Sequence, residues 1–108
     1  METARYNLRP FKRGADWEMM FRFKHVDLTS STVTIEIKKS GVVVFNSATH
    51  GTFTVTHTGS DTVVLWVIPY GITSTPPVAD AYEYDLAVTS GTSRKYYLEG
   101  RITVSRNI

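Results

Sequence analysis

Few residues in this chain are of a type to do chemistry, and they are scattered. The three histidines, His25, His50 and His57, show none of the close pairing of a helical zinc motif. His50 and His57 bracket one Thr-rich stretch and face different ways along a regular strand, so they read as exposed strand-end residues and not as ligands. Glu83 and Asp85, at i and i+2, lie about 7 Å apart on one side of an extended chain, a separation compatible with a glycosidase carboxylate pair. Arg101 and Glu99 face them from the following strand, however, and a solvated charge ladder explains all four residues. No serine stands in a Gly-x-Ser-x-Gly turn, and the glycines are too dispersed to cradle a phosphate. No nucleophile is paired with a base, so neither catalysis nor a cofactor nor a metal is expected.

Binding is the remaining kind of chemistry. Trp17, Trp66, Tyr70, Tyr82, Tyr84, Tyr96 and Tyr97 are enough aromatic surface for a stacking platform or a protein interface. Most of them fall on faces assigned to the core; Trp66, Tyr70, Tyr97 and Met20 are the side chains expected to project away from it. Arg5, Arg9, Lys12 and Arg13 form a basic N-terminal stretch, which either grips an acidic partner or protects a strand edge. A formal charge of +2, dispersed along the chain, is too little for a nucleic-acid surface. The expected partner surface comprises Trp66, Ile68, Tyr70, Ile72, Arg5, Arg9 and Arg13.

The elements that must position these residues are strands. Val33, Ile35 and Ile37 alternate with polar residues over Thr32–Lys39, and Trp17, Met19, Phe21 and Phe23 do so earlier in the chain. Residues 63–68, Val-Val-Leu-Trp-Val-Ile, are apolar on both faces, as in a central strand or one that meets a partner chain. Near the end, Tyr82, Tyr84, Leu86 and Val88 share a face, answered by Tyr96, Leu98, Ile102 and Val104 beyond a Gly91-Thr92 turn. That turn puts Leu86 opposite Leu98 and Tyr84 opposite Gly100. Ser40-Gly41 and the Thr58–Asp61 segment predict two more hairpins, and residues 69–81 predict a Pro-containing loop with one short helical turn. Tyr6 and Leu8 suggest an opening strand.

A chain of 108 residues with this pattern is expected to form one all-β domain, an antiparallel sandwich of about seven or eight strands. It has no cysteine, hence no disulfide or thiolate chemistry. No apolar leader opens it, and its longest apolar run is too short to span a bilayer as a helix, so no membrane association is expected.

Arg13-Gly14-Ala15-Asp16-Trp17, Asp27-Leu28-Thr29, the segment from Tyr82 to Thr89 and the segment from Leu98 to Ser105 follow one another in an order that resembles a known family. These are the small immunoglobulin-like β-sandwich domains of tailed-bacteriophage virion proteins, found in tail, baseplate and tail-fibre-associated components and at the N-terminus of baseplate upper proteins. The resemblance carries little of residues 47–81. It implies an immunoglobulin-like sandwich acting without catalysis, through contacts with other virion proteins, in multiple copies of a symmetric assembly, after synthesis in the host cytoplasm. A capsid-surface decoration protein or a carbohydrate-binding module would use the same sandwich.

Overall fold

The computed structural model describes residues 4–5, 11–12, 14–73 and 81–105. The chain is an all-β, immunoglobulin-like sandwich. Its strands are β1 (Ala4–Arg5), β2 (Phe11–Lys12), β3 (Trp17–Phe23), β4 (Thr32–Lys39), β5 (Val42–Asn46), β6 (Thr52–Thr58), β7 (Asp61–Ile68), β8 (Ala81–Ser90) and β9 (Ser93–Ser105), with one helical turn, α1 (Tyr70–Thr73). One sheet has the order β3-β7-β6 and the other β9-β8-β4-β5. In immunoglobulin terms β3, β7 and β6 stand as B, E and D, and β4, β8 and β9 as C, F and G, with β5 as C′. β1 and β2 both run parallel to β9 along its outer edge, and the other strand pairs among the described residues are antiparallel. The expected strand residues Tyr6 and Leu8 lie outside the described residues.

The hairpins form where turn residues interrupt the alternation. At Ser40-Gly41 both residues have positive φ, 53° and 79°, the backbone of a two-residue turn whose twist matches the flanking strands. Between β8 and β9, Leu86 pairs with Leu98 and Tyr84 with Gly100, as the spacing predicts. Beyond Leu98 the pairing shifts by one residue: Ala87 faces Tyr96, and Tyr97 is the extra residue of a bulge. The bulge exchanges the two tyrosines. Tyr96 is exposed on the outer face, while Tyr97 packs against the core with its ring 6.0 Å from that of Phe23. This corrects the expected placement of both.

The core fills the space between the sheets. Trp17, Met19 and Phe21 from β3 and Val64, Trp66 and Ile68 from β7 meet Ile35 and Ile37 from β4, Phe45 from β5, Tyr84 and Leu86 from β8 and Ile102 from β9. Aromatic pairs join the layers: Trp17 meets Phe45 edge-on at 5.5 Å, and Phe21 stacks on Tyr84 at 6.0 Å. No described buried side-chain nitrogen or oxygen is without a hydrogen-bond partner.

The link into β6 includes a close backbone approach. Gly51 has φ +73°, and a Cβ there would sit 2.1 Å from the Val67 carbonyl oxygen. At Gly59, in the β6–β7 turn, φ is +64° but the space around a Cβ is open. G51A is therefore expected to destabilise the fold by about 3 kcal/mol, through a clash added to backbone strain. G59A is expected to cost only about 1 kcal/mol. Urea denaturation of the two variants checks the difference, and equal losses would show that the approach to Val67 does not matter.

Candidate functional site

Two outer faces are available for binding, and register defines both. On the larger sheet the outward rows are Lys38–Glu83–Arg101, Glu36–Asp85–Glu99 and Thr34–Ala87 with Tyr96. Lys38 stands near the middle. Its Nζ donates to Asp85 Oδ2 at 2.9 Å and lies 3.8 Å from Glu36 Oε1. Asn46 Nδ2 donates in turn to Glu36 Oε2 at 3.3 Å. The hydrogen bond to Asp85 holds the Lys38 ammonium above its ordinary pKa, against partial desolvation, with the charges of Asp85 and Glu36 adding to it. A shallow recess of about 190 Å³ opens over Gly100, lined by Lys38, Glu83, Asp85, Glu99 and Arg101. Tyr96 lies on the same face, lining a neighbouring recess with Lys38, Asp85 and Glu99. Ammonium, guanidinium and carboxylate groups beside an aromatic ring can hydrogen-bond a polyhydroxyl ligand and stack on it.

The smaller sheet presents a different surface. Its outward rows are Glu18–Val67–Thr52, Met20–Leu65–Thr54 and Arg22–Val63–Thr56. Val63, Leu65 and Val67 are half-buried by their neighbours, and Met20 is 68% exposed. A stripe of apolar side chains is thus bounded by threonines on β6 and by one charge of each sign on β3. Arg22 Nε lies 3.1 Å from Asp61 Oδ2, and Glu18 makes no ion pair with another described residue.

The expected partner surface is divided by the structure. Trp66 and Ile68 have no accessible surface and belong to the core, which corrects their assignment to an interface. A strand apolar on both faces leaves open which set turns inward, and here the bulkier set does. Tyr70 is 67% exposed, as expected, on a turn whose backbone is fixed by Asp16 Oδ1, which accepts the Tyr70 N–H at 2.8 Å. Ile72, half-buried, packs against the core. Arg5 is described in its backbone, opposite Glu99, and Arg9 and Arg13 lie outside the described residues. Sequence reasoning overlooked Glu18 and Arg22, and it offered the whole 63–68 strand to a partner without separating Val63, Leu65 and Val67 from the buried set. Their signal was present: Met20 alternates with Glu18 and Arg22, and the other three form the second apolar face of 63–68.

His57 Nδ1 lies 3.8 Å from Asp27 Oδ1, and the described residues contain no group of three or more metal-binding side chains. The Asp27 carboxyl is held below the usual carboxylate range, first by the Thr29 hydroxyl and then by the Thr29 backbone N–H. No protein-family model matches the chain, and no curated protein matches it in sequence.

The Lys38–Asp85 contact is testable. A double-mutant cycle with K38M and D85N is expected to give a coupling energy of about 1 kcal/mol. Because the folded-state pKa of Lys38 is raised, its contribution is complete below the ordinary ammonium range and is lost as pH rises through the raised value. The stability gap between wild type and K38M should therefore narrow at strongly alkaline pH. A gap that stays constant there would mean the ammonium charge is not what stabilises the pair.

Proposed function

We propose that this chain is a non-enzymatic structural or adaptor module of a tailed-phage virion. It would work in the tail, baseplate or fibre-attachment region, through protein–protein contacts in a repeated assembly. One observation carries the reading. A sandwich with a closed aromatic core leaves the half-buried apolar stripe of its central strand β7, together with the exposed Met20, on an outer sheet face. Apolar surface rimmed by polar residues is one mark of a protein–protein contact site. The motif resemblance points the same way. Its Tyr84-Asp85-Leu86 and Leu98-Glu99-Gly100 segments lie opposite each other in the β8–β9 hairpin. Mass spectrometry of purified virions of the encoding virus is expected to find the chain as a stoichiometric component. Its absence from mature particles would overturn the proposal.

A second reading, a carbohydrate-binding or capsid-surface decoration module, is favoured by the polar recess beside Tyr96. In that case a glycan array detects binding that Y96A removes while the far-UV circular dichroism is unchanged. Binding retained in Y96A, or absent from wild type, rejects it.

A further inference from the structure

We infer that the outer face of β3-β7-β6 is a self-complementary surface that pairs with the same face of a second copy of this chain. The argument rests on charge placement. On β3, Glu18 and Arg22 lie two residues on either side of Met20, and all three point outward. A two-fold axis lying in the face and running across the strands along the row Met20–Leu65–Thr54 reverses the strand direction of the second copy. It then brings the row Glu18–Val67–Thr52 of one copy against the row Arg22–Val63–Thr56 of the other. Each Glu18 meets an Arg22, each Val67 meets a Val63, and Met20 and Leu65 meet their own counterparts on the axis. This is the isologous arrangement of a two-fold dimer, in which a single patch supplies both halves of every contact. A partner carrying one sign of charge would satisfy one end of the row and repel at the other. Arg22 keeps its bond to Asp61 at 3.1 Å and, with its side chain 55% exposed, has further donors for a second carboxylate.

The size of the face sets the strength. Three strands spaced ~4.8 Å apart, with five residues at ~3.3 Å each, cover roughly 14 by 17 Å, well below the size of a standard specific interface. A pair in free solution is therefore weak, and copies tethered in a particle gain strength through effective concentration. The inference deepens the assembly reading and rests on it for the reason that a small sandwich should self-associate.

Sedimentation velocity from about 10 μM to about 1 mM tests it, the range such a small face demands. Wild type should pass from monomer to dimer across that range, less readily at high salt. M20E should weaken the dimer by roughly tenfold or more, and so should E18R or R22E alone, because each places like charges or a buried carboxylate at the contact. An equimolar mixture of E18R and R22E should dimerise again, as should the double variant E18R/R22E, since both restore opposite charges across the axis. A wild type that stays monomeric at ~1 mM overturns the inference, and so does a dimer indifferent to M20E and E18R. If R22E does not fold beside Asp61, M20E and E18R decide alone. The dimer's absence from a chain that is nonetheless found in virions rejects this face and leaves the virion reading standing.

Discussion

The chain has to leave one sheet and enter the other between Asn46 and Thr52, and the sandwich depends on how that crossing is held. The Trp66 indole, buried in the middle of β7, donates its N–H to the His50 carbonyl at 2.7 Å. Around this anchor the crossing satisfies its own polar groups. The Ser47 N–H donates to the Ile35 carbonyl and the Ser47 hydroxyl accepts the Ile35 N–H, both at 2.9 Å, so β4 keeps a partner after β5 has turned away. His50 N–H donates to the Asn46 carbonyl at 2.9 Å, and Asn46 Oδ1 accepts the Ala48 N–H at 2.8 Å. The His50 ring meets Phe45 edge-on at 5.4 Å. Gly51 then slides against the Val67 carbonyl, where a side chain would not fit. One strand, β7, therefore supplies both the donor and the wall of the crossing.

The same strand holds the opposite crossing, from β3 to β4. Thr62, fully buried at the start of β7, donates its hydroxyl proton to the Val26 carbonyl at 2.6 Å and accepts the Leu28 N–H at 3.1 Å. Asp61 accepts the N–H of His25, a residue held at φ 60°, at 3.1 Å. That bond, followed by the nearby Arg22 charge, keeps the Asp61 carboxyl below the usual range despite some desolvation. A non-glycine residue in the left-handed region persists when its surroundings fix it, and Asp61 is part of that fixing. Beyond β7, Asp16 and Ala15 receive the Tyr70 N–H and the Thr73 hydroxyl, so α1 is tied to the entry of β3. The apolar doubling of residues 63–68 follows from this position: a central strand buries one face in the core and has the other flanked by two neighbours.

The sequence pattern makes strands visible wherever one face is apolar and the count of residues is uninterrupted. The register of Leu86 with Leu98 and Tyr84 with Gly100 was readable because a one-residue slip would expose the whole apolar set. The bulge at Tyr97 was not, because period-two counting assumes that no residue is inserted. Tyr96 and Tyr97 are chemically alike, so their identities gave no warning. The direction of Trp66 escapes the pattern for a related reason. When both faces of a strand are apolar, the alternation carries no information about direction, and only the partners across the sandwich decide it. The short parallel strands β1 and β2 have no period to detect, since each is defined by two residues of pairing to β9. The candidate faces share this history: each residue was visible, but the rows that join Met20 to Leu65, or Lys38 to Asp85, exist only once strands distant in sequence are paired.

The two outer faces differ in what it would take to cover them. On β4-β8-β9, Lys38 is already bonded to Asp85 and lies close to Glu36, and any partner would have to desolvate that network before gaining from contact. On β3-β7-β6 the middle is hydrocarbon, its removal from water is favourable, and the charges stand at the rim where desolvation is slight. Edges offer less. The outer edge of β9 is taken by β1 and β2, and β5 is short and bulged at Val44, where Ile37 pairs with Phe45 and Lys38 with Val43. A bulged edge twists away from a straight partner strand, so the exposed Val42 and Val43 do not present a continuous ladder. Of the two outer faces, that of β7 therefore costs less to desolvate, and its location follows from the strand that also holds both crossings.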